Sequence, residues 1–222
     1  VCIVRVCSVS GSGAAAQRFA SDIQQQIRPA VAVRVVGWIV DLRGNGGGNM
    51  WPLIAGVGPV LGDGRAGAFV SPTGLTLTWG YRDGSSYYGT NPLVTVPDDY
   101  RLLRLDPRVA VLTDCYVASS GEAAAIAFRR RPNTRSFGTP TLGLSTANSG
   151  FPLPDGATLY LTVSTMADRN IVRYGGPVPP DEVTGDPART VQRAIEWLSG
   201  GTAFAVDRPR GPLLHFFPTD LA

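Results

Sequence analysis

An almost continuous apolar run at residues 31–42 constrains the fold of this 222-residue chain more than any other feature. Such a run is typical of a strand buried on both faces, as in a parallel sheet covered by helices on each side. It leads into the loop Arg43-Gly-Asn-Gly-Gly-Gly-Asn49, where three consecutive glycines permit backbone conformations and exposed amides that other residues restrict. The run therefore predicts a central strand that opens into a glycine loop at its carboxyl end.

The other apolar patterns extend this strand into an alternating α/β order. They predict strands over 1–9, 66–71, 75–81, 93–96, 109–114 and 158–166, helices over 14–27, 50–61, 119–130 and 187–197, and a polar loop over 83–91. The order indicates a layered α/β fold with a central, mostly parallel sheet and a β-hairpin insertion. We expect one domain over 1–198 and a C-terminal extension over 199–222 that lies on the surface.

The types of basic residue exclude several mechanisms. All 20 basic side chains are Arg, so this chain alone cannot form a Schiff base, a phosphate loop with its Lys, or a Ser-Lys dyad. The three cysteines contain no C-x-x-C pair, and His215 is the single histidine, so neither a metal site nor a cofactor is predicted. Three cysteines also do not make a disulfide framework, which leaves the cellular compartment open.

Charge and hydropathy exclude two classes of partner. The net charge is +3 and the arginines are scattered except for Arg129-Arg130-Arg131, so no nucleic-acid surface is predicted. That triplet stands just before Pro132, where cations favour the end of a helix. No apolar run reaches the roughly 18 to 20 residues that a membrane span requires.

Two small-residue clusters allow a functional and a structural interpretation. Gly11-x-Gly13-x-x-Ala16 follows a predicted strand and opens a helix, and Asp41 ends the next strand, which is the context of a dinucleotide fingerprint. A plain turn into a helix explains the same residues. In Ala118-Ser-Ser-Gly-Glu-Ala123, either serine would stand at a helix N-terminus, where free amides favour negative charge, and Ser119-x-x-Glu122 is also a capping box.

Four segments together resemble the S41 serine peptidases, the tail-specific, C-terminal-processing and tricorn-core family. They are Gly37-Trp-Ile-Val-Asp-Leu-Arg-Gly-Asn-Gly-Gly-Gly-Asn49, Ala118-Ser-Ser-Gly-Glu-Ala123, Thr134-Arg-Ser-Phe-Gly-Thr-Pro-Thr-Leu-Gly143 and Tyr174-Gly-Gly-Pro-Val-Pro-Pro-Asp181. The likeness extends over about 1–198 and implies a ClpP/crotonase-like fold. It implies that Ser119 is the nucleophile, and that the amides of Ser120 and of Gly47 or Gly48 form the oxyanion hole. Glu122 would then support the turn.

The general base departs from the family pattern. The tail-specific branch carries a Lys 25 residues after its nucleophile, and this chain has Leu144 there. Tricorn-like relatives use a His, often in an upstream Gly-Asp-Gly-His-Ser segment that this chain does not contain. The resemblance therefore implies either a base on a further N-terminal segment or an impaired catalyst. His215 is the internal alternative, although a lone His among Leu214, Phe216 and Phe217 is usually packed.

Three functions remain open from the sequence. The leading prediction is a hydrolase that cleaves peptide bonds through an acyl-enzyme on Ser119, and the same machinery would cleave esters. The second is a non-catalytic domain of this fold that binds a ligand or peptide, and the third is nucleotide binding. A peptide or protein substrate is the expected partner, and a homo-oligomer is also open.

Overall fold

The computed structural model describes residues 1–29, 35–102 and 106–200, which form two β-sheets and four α-helices within these ranges. In chain order the elements are β1 (Cys2–Arg5), α1 (Gly13–Ile27), β2 (Trp38–Asp41), α2 (Met50–Leu61), β3 (Gly64–Val70), β4 (Thr76–Arg82), β5 (Ser85–Tyr88), β6 (Asn91–Thr95), β7 (Val109–Thr113), α3 (Ser120–Ala127), β8 (Thr134–Gly138), β9 (Thr146–Pro152), β10 (Thr158–Asp168), β11 (Glu182–Val183) and α4 (Pro187–Leu198).

The first sheet is parallel throughout, with the order β1-β2-β7-β8-β11. Helix α4 covers one face, where Ile39, Leu112 and Phe137 pack with Leu198. The opposite face packs against α2 and α3 in the main core. Every residue of β2 and β7 is buried, which explains why these strands are apolar without alternation. The predicted layered α/β fold is confirmed.

The second sheet is antiparallel, with the order β6-β5-β4-β3-β10-β9. The hairpin insertion is therefore part of a larger, six-stranded sheet. The polar loop predicted over 83–91 is wrong, because β5 lies within it and pairs with both β4 and β6. Strand β10, predicted over 158–166, joins β3 and β9 rather than the parallel sheet. The alternation of a strand does not reveal which sheet it joins, because a partner such as β3 is distant in sequence.

The observed bounds of other elements differ from the predicted bounds by a few residues. The first strand is shorter than 1–9 and ends at Arg5, and β2 occupies only the end of the predicted run 31–42, of which residues 30–34 lie outside the described residues. Helix α3 ends at Ala127, before the arginine triplet. The predicted domain limit at 198 coincides with the end of α4, and the predicted extension lies outside the description from residue 201 onward. None of the described helices is long and apolar enough to cross a bilayer.

Arg131 lies beyond the end of α3, and its side chain holds three chain segments together. Its side chain is buried, and its guanidinium donates to the carbonyls of Leu61 (2.8 Å), Pro107 (3.0 Å) and Pro132 (2.9 Å). Burial lowers the pKa of this guanidinium to about 10. The arginine triplet therefore includes a residue with a structural role, although its guanidinium binds these three carbonyls and not the C-terminal carbonyls of α3.

Asp181 joins the segment before β11 to β8, and its contribution to stability is expected to depend on pH. Burial acts to raise the pKa of its carboxyl, but hydrogen bonds from Ser136 N and Oγ (each 2.8 Å) and from Arg129 (2.7 Å) outweigh it, so the pKa is lowered from 3.8. A lowered folded-state pKa stabilises above the unfolded value and is lost as the pH falls through the folded value. We expect Asp181→Asn to be less stable than the parent at pH 7, with a difference that shrinks below about pH 3.8. Urea titrations at both pH values measure this, and a constant difference would contradict it.

Candidate active site

Three loops meet at the carboxyl edge of the parallel sheet. The loop after β1 forms a parallel bridge between Val9 and Gly48, and Asn49 N donates to Val9 O (2.6 Å). The loop after β7 is joined to the glycine loop by Ala118 N, which donates to Asn45 O (2.9 Å). Parallel neighbours end at the same edge, so their loops converge there. The structure thus brings together the glycine loop and the Ser119 turn.

Ser119 is the residue just before α3, and its backbone is strained. Its φ of 51° and ψ of −114° are rare for a residue with a side chain, and such conformations persist only where the surroundings enforce them. Ser119 O accepts from Ala123 N (2.9 Å), which closes the first helical turn. The side chain is partly exposed. A reactive hydroxyl placed here would be accessible and close to the positive end of the helix.

The glycine loop approaches the Ser119 turn so closely that only glycine fits at position 47. A methyl group on Gly47 would lie 2.9 Å from Ser119 Cβ and 3.1 Å from Ser120 N, and its φ is 105°. The Ser120 hydroxyl donates to Gly48 O (2.6 Å), which fixes the loop to the helix start. Gly47 faces the serine turn directly, and Gly48 is the exposed residue beside it.

The backbone amides of these residues differ in what they bind. Gly47 N donates to Asn45 Oδ1 (3.0 Å) and is therefore occupied. Within the described part of the chain, neither Gly48 N nor Ser120 N has an acceptor. The sequence left Gly47 and Gly48 as alternatives for an oxyanion donor. The free amides now favour Gly48, with Ser120 as the second donor.

Glu122 is fully buried and joins the serine turn to the segment that follows β8. Its Oε2 accepts from Ser119 N (2.8 Å), and its Oε1 accepts from Thr141 Oγ1 (2.6 Å) and Gly143 N (2.8 Å). Thr141 Oγ1 in turn accepts from Val178 N (2.8 Å). Because three donors converge on this carboxyl group, it is placed to orient backbone rather than to take the proton of a serine hydroxyl. The sequence pattern indicated the capping contact, but not the other two.

Asn45 organises the glycine loop, a role that the sequence pattern did not indicate. Its side chain has no exposed surface; Nδ2 donates to Val6 O (2.9 Å) and Oδ1 accepts from Gly47 N. A methyl group on Gly121 would lie 2.4 Å from Asn45 O, so helix α3 packs directly against this residue. An asparagine within a glycine loop could have indicated this role, because its side-chain amide supplies both a donor and an acceptor to a backbone that has few internal hydrogen bonds.

Asn45→Ala is expected to lower the free energy of unfolding by about 2–4 kcal/mol, since it leaves buried backbone groups without partners and opens a void. The glycine loop should then lose its position relative to Ser119. Denaturant unfolding measures the change, with Asn91→Ala on the exposed part of β6 as a matched control. Equal stabilities of the two variants would show that Asn45 does not organise the loop.

The residues of the apparent dinucleotide fingerprint have structural contacts here. Gly11 O accepts from Asn49 Nδ2 (2.9 Å), and Asn49 Oδ1 caps α2 by accepting from Trp51 N (3.1 Å). Asp41 is paired with Arg43 (2.7 Å), and the hydrogen bond to Asp41 raises the pKa of the Arg43 guanidinium despite burial. These contacts support the turn interpretation, since a ribose-binding carboxylate must be available to its ligand.

The described residues supply no His or Lys to the Ser119 turn. The chain has no Lys, and His215 lies outside the described residues. Leu144, at the position of the tail-specific Lys, is 52% exposed. Nor do the described ranges contain a group of three or more His, Cys, Asp or Glu side chains that could hold a metal ion.

A layered α/β fold with a strained serine at a helix start, opposite a glycine loop, is the arrangement that the resemblance to S41 serine peptidases implies. The model of peptidase family S41 matches residues 1–184. The chain therefore belongs to family S41, and the resemblance noted from its motifs is confirmed.

The chain is also similar to individual members of this group. It is 34% identical over 163 residues to the nisin-resistance protein of Lactococcus lactis subsp. lactis, covering 73% of this chain and 49% of that protein, so it spans about half the length of this curated relative. A lipoprotein from Streptococcus agalactiae matches with a TM-score of 0.68 and 27% identity, over 89% of this chain and 65% of the other. The photosystem II D1 C-terminal processing protease matches in fold, with a TM-score of 0.61 and 21% identity over 86% and 45% of the two chains.

Proposed function

We propose that this chain is the catalytic domain of a serine peptidase that cleaves peptide bonds through an acyl-enzyme on Ser119. The observation that carries the proposal is a pair of amides, Gly48 N and Ser120 N, that have no acceptor in the described ranges and lie beside a partly exposed serine in a strained turn. Backbone donors aimed at a developing oxyanion are usually the largest single contribution to acyl-transfer catalysis.

The reaction follows from this arrangement. Ser119 Oγ attacks the scissile carbonyl carbon and loses its proton to a base, while the carbonyl oxygen becomes an oxyanion between the two amides. Collapse of the tetrahedral intermediate breaks the C–N bond, and the leaving amine takes up a proton. Water then attacks the acyl-enzyme by the same route, releasing the acid and restoring Ser119. Glu122 keeps the Ser119 backbone in place throughout.

We place the general base for Ser119 on a group outside the described residues. A serine without its base retains only the contributions of the oxyanion hole and of binding, and the loss of a base lowers the rate by up to about 10⁶-fold. The resemblance to tricorn-like relatives points to a His on an upstream segment, and His215 is the alternative within the chain. We therefore expect the 222-residue chain to hydrolyse peptides weakly, and an added upstream segment to raise the rate.

Covalent labelling by a plain fluorophosphonate tests the nucleophile. We expect one label, mapped by mass spectrometry to Ser119, that is lost in Ser119→Ala and kept in Ser71→Ala, a serine in the turn after β3. Peptide substrates are assayed beside it, and they include nisin because the name of the relative connects that protein with nisin resistance. Absence of labelling both in the parent chain and in the chain with an added upstream segment would instead favour a binding domain of this fold.

Ester cleavage is the second candidate, and a specific observation favours it. The described residues offer neither a His nor a Lys to Ser119, and an ester has a better leaving group that demands less proton transfer than an amide. Nitrophenyl esters and peptides assayed on the same preparation separate the two functions. Turnover of esters alone, unchanged by an added upstream segment, would identify an esterase.

His215→Ala is expected to change the labelling rate of Ser119 by less than about twofold, since a base normally contributes orders of magnitude. The measurement is the second-order labelling rate between pH 6 and pH 9. A large loss, together with the disappearance of a titration near the ordinary His pKa of about 6.5, would make His215 the base.

A further inference from the structure

A cavity of about 560 Å³ lies at the end of α3 that is remote from Ser119. It is lined by the last residues of α3 and the arginines that follow, by the first residues of β8 and by Trp197 of α4. Strand β11 pairs only with Phe137 and Gly138, so the start of β8 has no neighbouring strand on that side within the described ranges. Small-molecule pockets commonly have volumes of about 300–1,000 Å³, and this cavity therefore has the size of a ligand site.

Four guanidinium groups line this cavity, which we call the arginine cleft. The side chains are those of Arg129, Arg130, Arg131 and Arg135. Three of them have a carboxylate partner: Arg129 pairs with Asp181 (2.7 Å), Arg130 with Asp168 (3.7 Å) and Arg135 with Glu182 (3.2 Å). Arg131 has no carboxylate within ion-pair distance among the residues that the structure describes. At least one positive charge of the arginine cleft is therefore not neutralised.

Arg131 carries this charge in a buried position, where it is 5% exposed. Its Nε and Nη1 donate to backbone carbonyls, and Nη1 also donates to Thr134 Oγ1 (3.1 Å). Its Nη2 is buried and has no acceptor in the described part of the chain. Burial lowers the pKa of this guanidinium although the charge of Asp106 acts to raise it. Because buried charges in proteins are normally paired, Arg131 indicates a site for an anion.

Arg129 supplies a second buried donor to the same cleft. Its Nη1 is used by Asp181 Oδ1 and Ser136 Oγ, whereas its Nε has no acceptor within the described ranges. Two N–H donors and one unpaired positive charge match a carboxylate, which has two acceptor oxygens and a single negative charge. A phosphate monoester carries nearly two negative charges and fits this balance less well.

The remaining walls of the arginine cleft are apolar. They are formed by Val111, Ala125, Phe128 and Trp197. The Arg108 guanidinium lies over the Trp197 ring, 4.5 Å from its centroid, which helps to fix the position of the indole. Apolar walls beside a few polar donors are typical of sites for small organic molecules, in which the donors orient the ligand and the walls remove its apolar surface from water.

We propose that the arginine cleft binds a small organic acid with an apolar body. Its carboxylate accepts from Arg131 and Arg129, and its apolar part contacts Phe128 and Trp197. The site is distinct from the Ser119 turn, because the 8 residues of α3 separate the two. At about 1.5 Å per residue, this helix spans about 12 Å. The inference is therefore independent of the proposed function of Ser119.

Isothermal titration calorimetry of the full chain with phenylbutyrate tests this inference. We expect saturable binding to one site with a Kd at or below about 1 mM. Phenylbutyramide has the same apolar body without the charge, and it should bind at least about tenfold more weakly. Gly47→Ala, which places a methyl group against the Ser120 amide, should bind the acid as the parent does. Loss of binding in Gly47→Ala would place the acid at the Ser119 turn and overturn the inference.

Charge variants locate the acid in the arginine cleft. Arg131→Gln should weaken binding at least about tenfold, and circular dichroism shows whether this variant is folded. Arg130→Glu, at a 57% exposed side chain, leaves the buried contacts of Arg131 in place and should weaken binding about tenfold by repulsion. It carries the test if Arg131→Gln does not fold. Arg18→Glu, at an exposed position of α1, is the matched control and should bind like the parent.

Three results would overturn the inference. They are absence of saturable binding up to about 10 mM, equal binding of the acid and its amide, and full binding by Arg130→Glu. A short peptide that ends in phenylalanine is titrated as well, since its terminal carboxylate presents similar chemistry. Tighter binding of this peptide than of phenylbutyrate would contradict the assignment to a small acid. None of these outcomes depends on whether Ser119 is labelled, so each proposal can fail alone.

Discussion

Gly47→Ala is expected to slow covalent labelling of Ser119 by about 10²- to 10³-fold, because the new methyl group would lie against the Ser120 amide, which is a proposed oxyanion donor. The methyl carbon would lie 2.9 Å from Ser119 Cβ and 3.1 Å from Ser120 N. These contacts are too short, so the Ser119 turn or the glycine loop would have to shift. The φ of 105° at this position adds strain for any residue with a side chain. The measurement is the labelling rate with a plain fluorophosphonate.

The neighbouring glycine provides the control for this prediction. A methyl group on Gly46 would meet only Ser8 Oγ, at 3.9 Å, so Gly46→Ala should keep most of the labelling rate. Circular dichroism and thermal unfolding show whether each variant is folded, since strain at Gly47 also lowers stability. A folded Gly47→Ala protein that labels at the parental rate would contradict the assignment of the Ser120 amide as an oxyanion donor.

Glu122→Gln is expected to lower the free energy of unfolding by about 2–4 kcal/mol. Capping by itself would be worth about 1 kcal/mol, which is the value that the sequence pattern predicts. The structure raises this expectation because the carboxyl group is fully buried and accepts three hydrogen bonds. A glutamine can supply only one oxygen, so its NH₂ group would face the Ser119 amide or the Thr141–Gly143 side, donor against donor.

Urea unfolding of Glu122→Gln measures this loss, and Glu196→Gln, at a partly exposed position of α4, is the control. We expect the folded Glu122→Gln protein to retain measurable labelling of Ser119, because three donors already occupy the carboxyl group and its proposed role is to orient backbone. Unchanged stability together with lost labelling would reverse this conclusion and make Glu122 a catalytic residue.

The family and the fold class were predictable from the sequence because the signals for both are local. The apolar run that ends at Asp41 identifies a strand covered on both faces, and the spacing of glycine loop, Ser-x-x-Glu turn and later glycine motifs is a property of the linear chain. Helix α2 was predicted with its observed limits, since its apolar residues run without interruption from the cap at Asn49 to the glycine at position 62. Strand β5 was not, because Ser85 and Ser86 resemble loop residues until their partners in β4 and β6 are known.

The sequence by itself determined which residues meet at the carboxyl edge of the sheet: a serine at a helix start and a glycine loop after a buried strand. Only the tertiary structure decided how these residues are used. It showed that Gly47 N is occupied by Asn45, that Gly48 N has no acceptor among the described residues, and that Glu122 reaches Gly143 as well as Ser119. The physical reason is that helix caps and turns depend on neighbours within a few residues, whereas the availability of an amide and the burial of a carboxyl group depend on groups that are distant in the chain and adjacent only after folding.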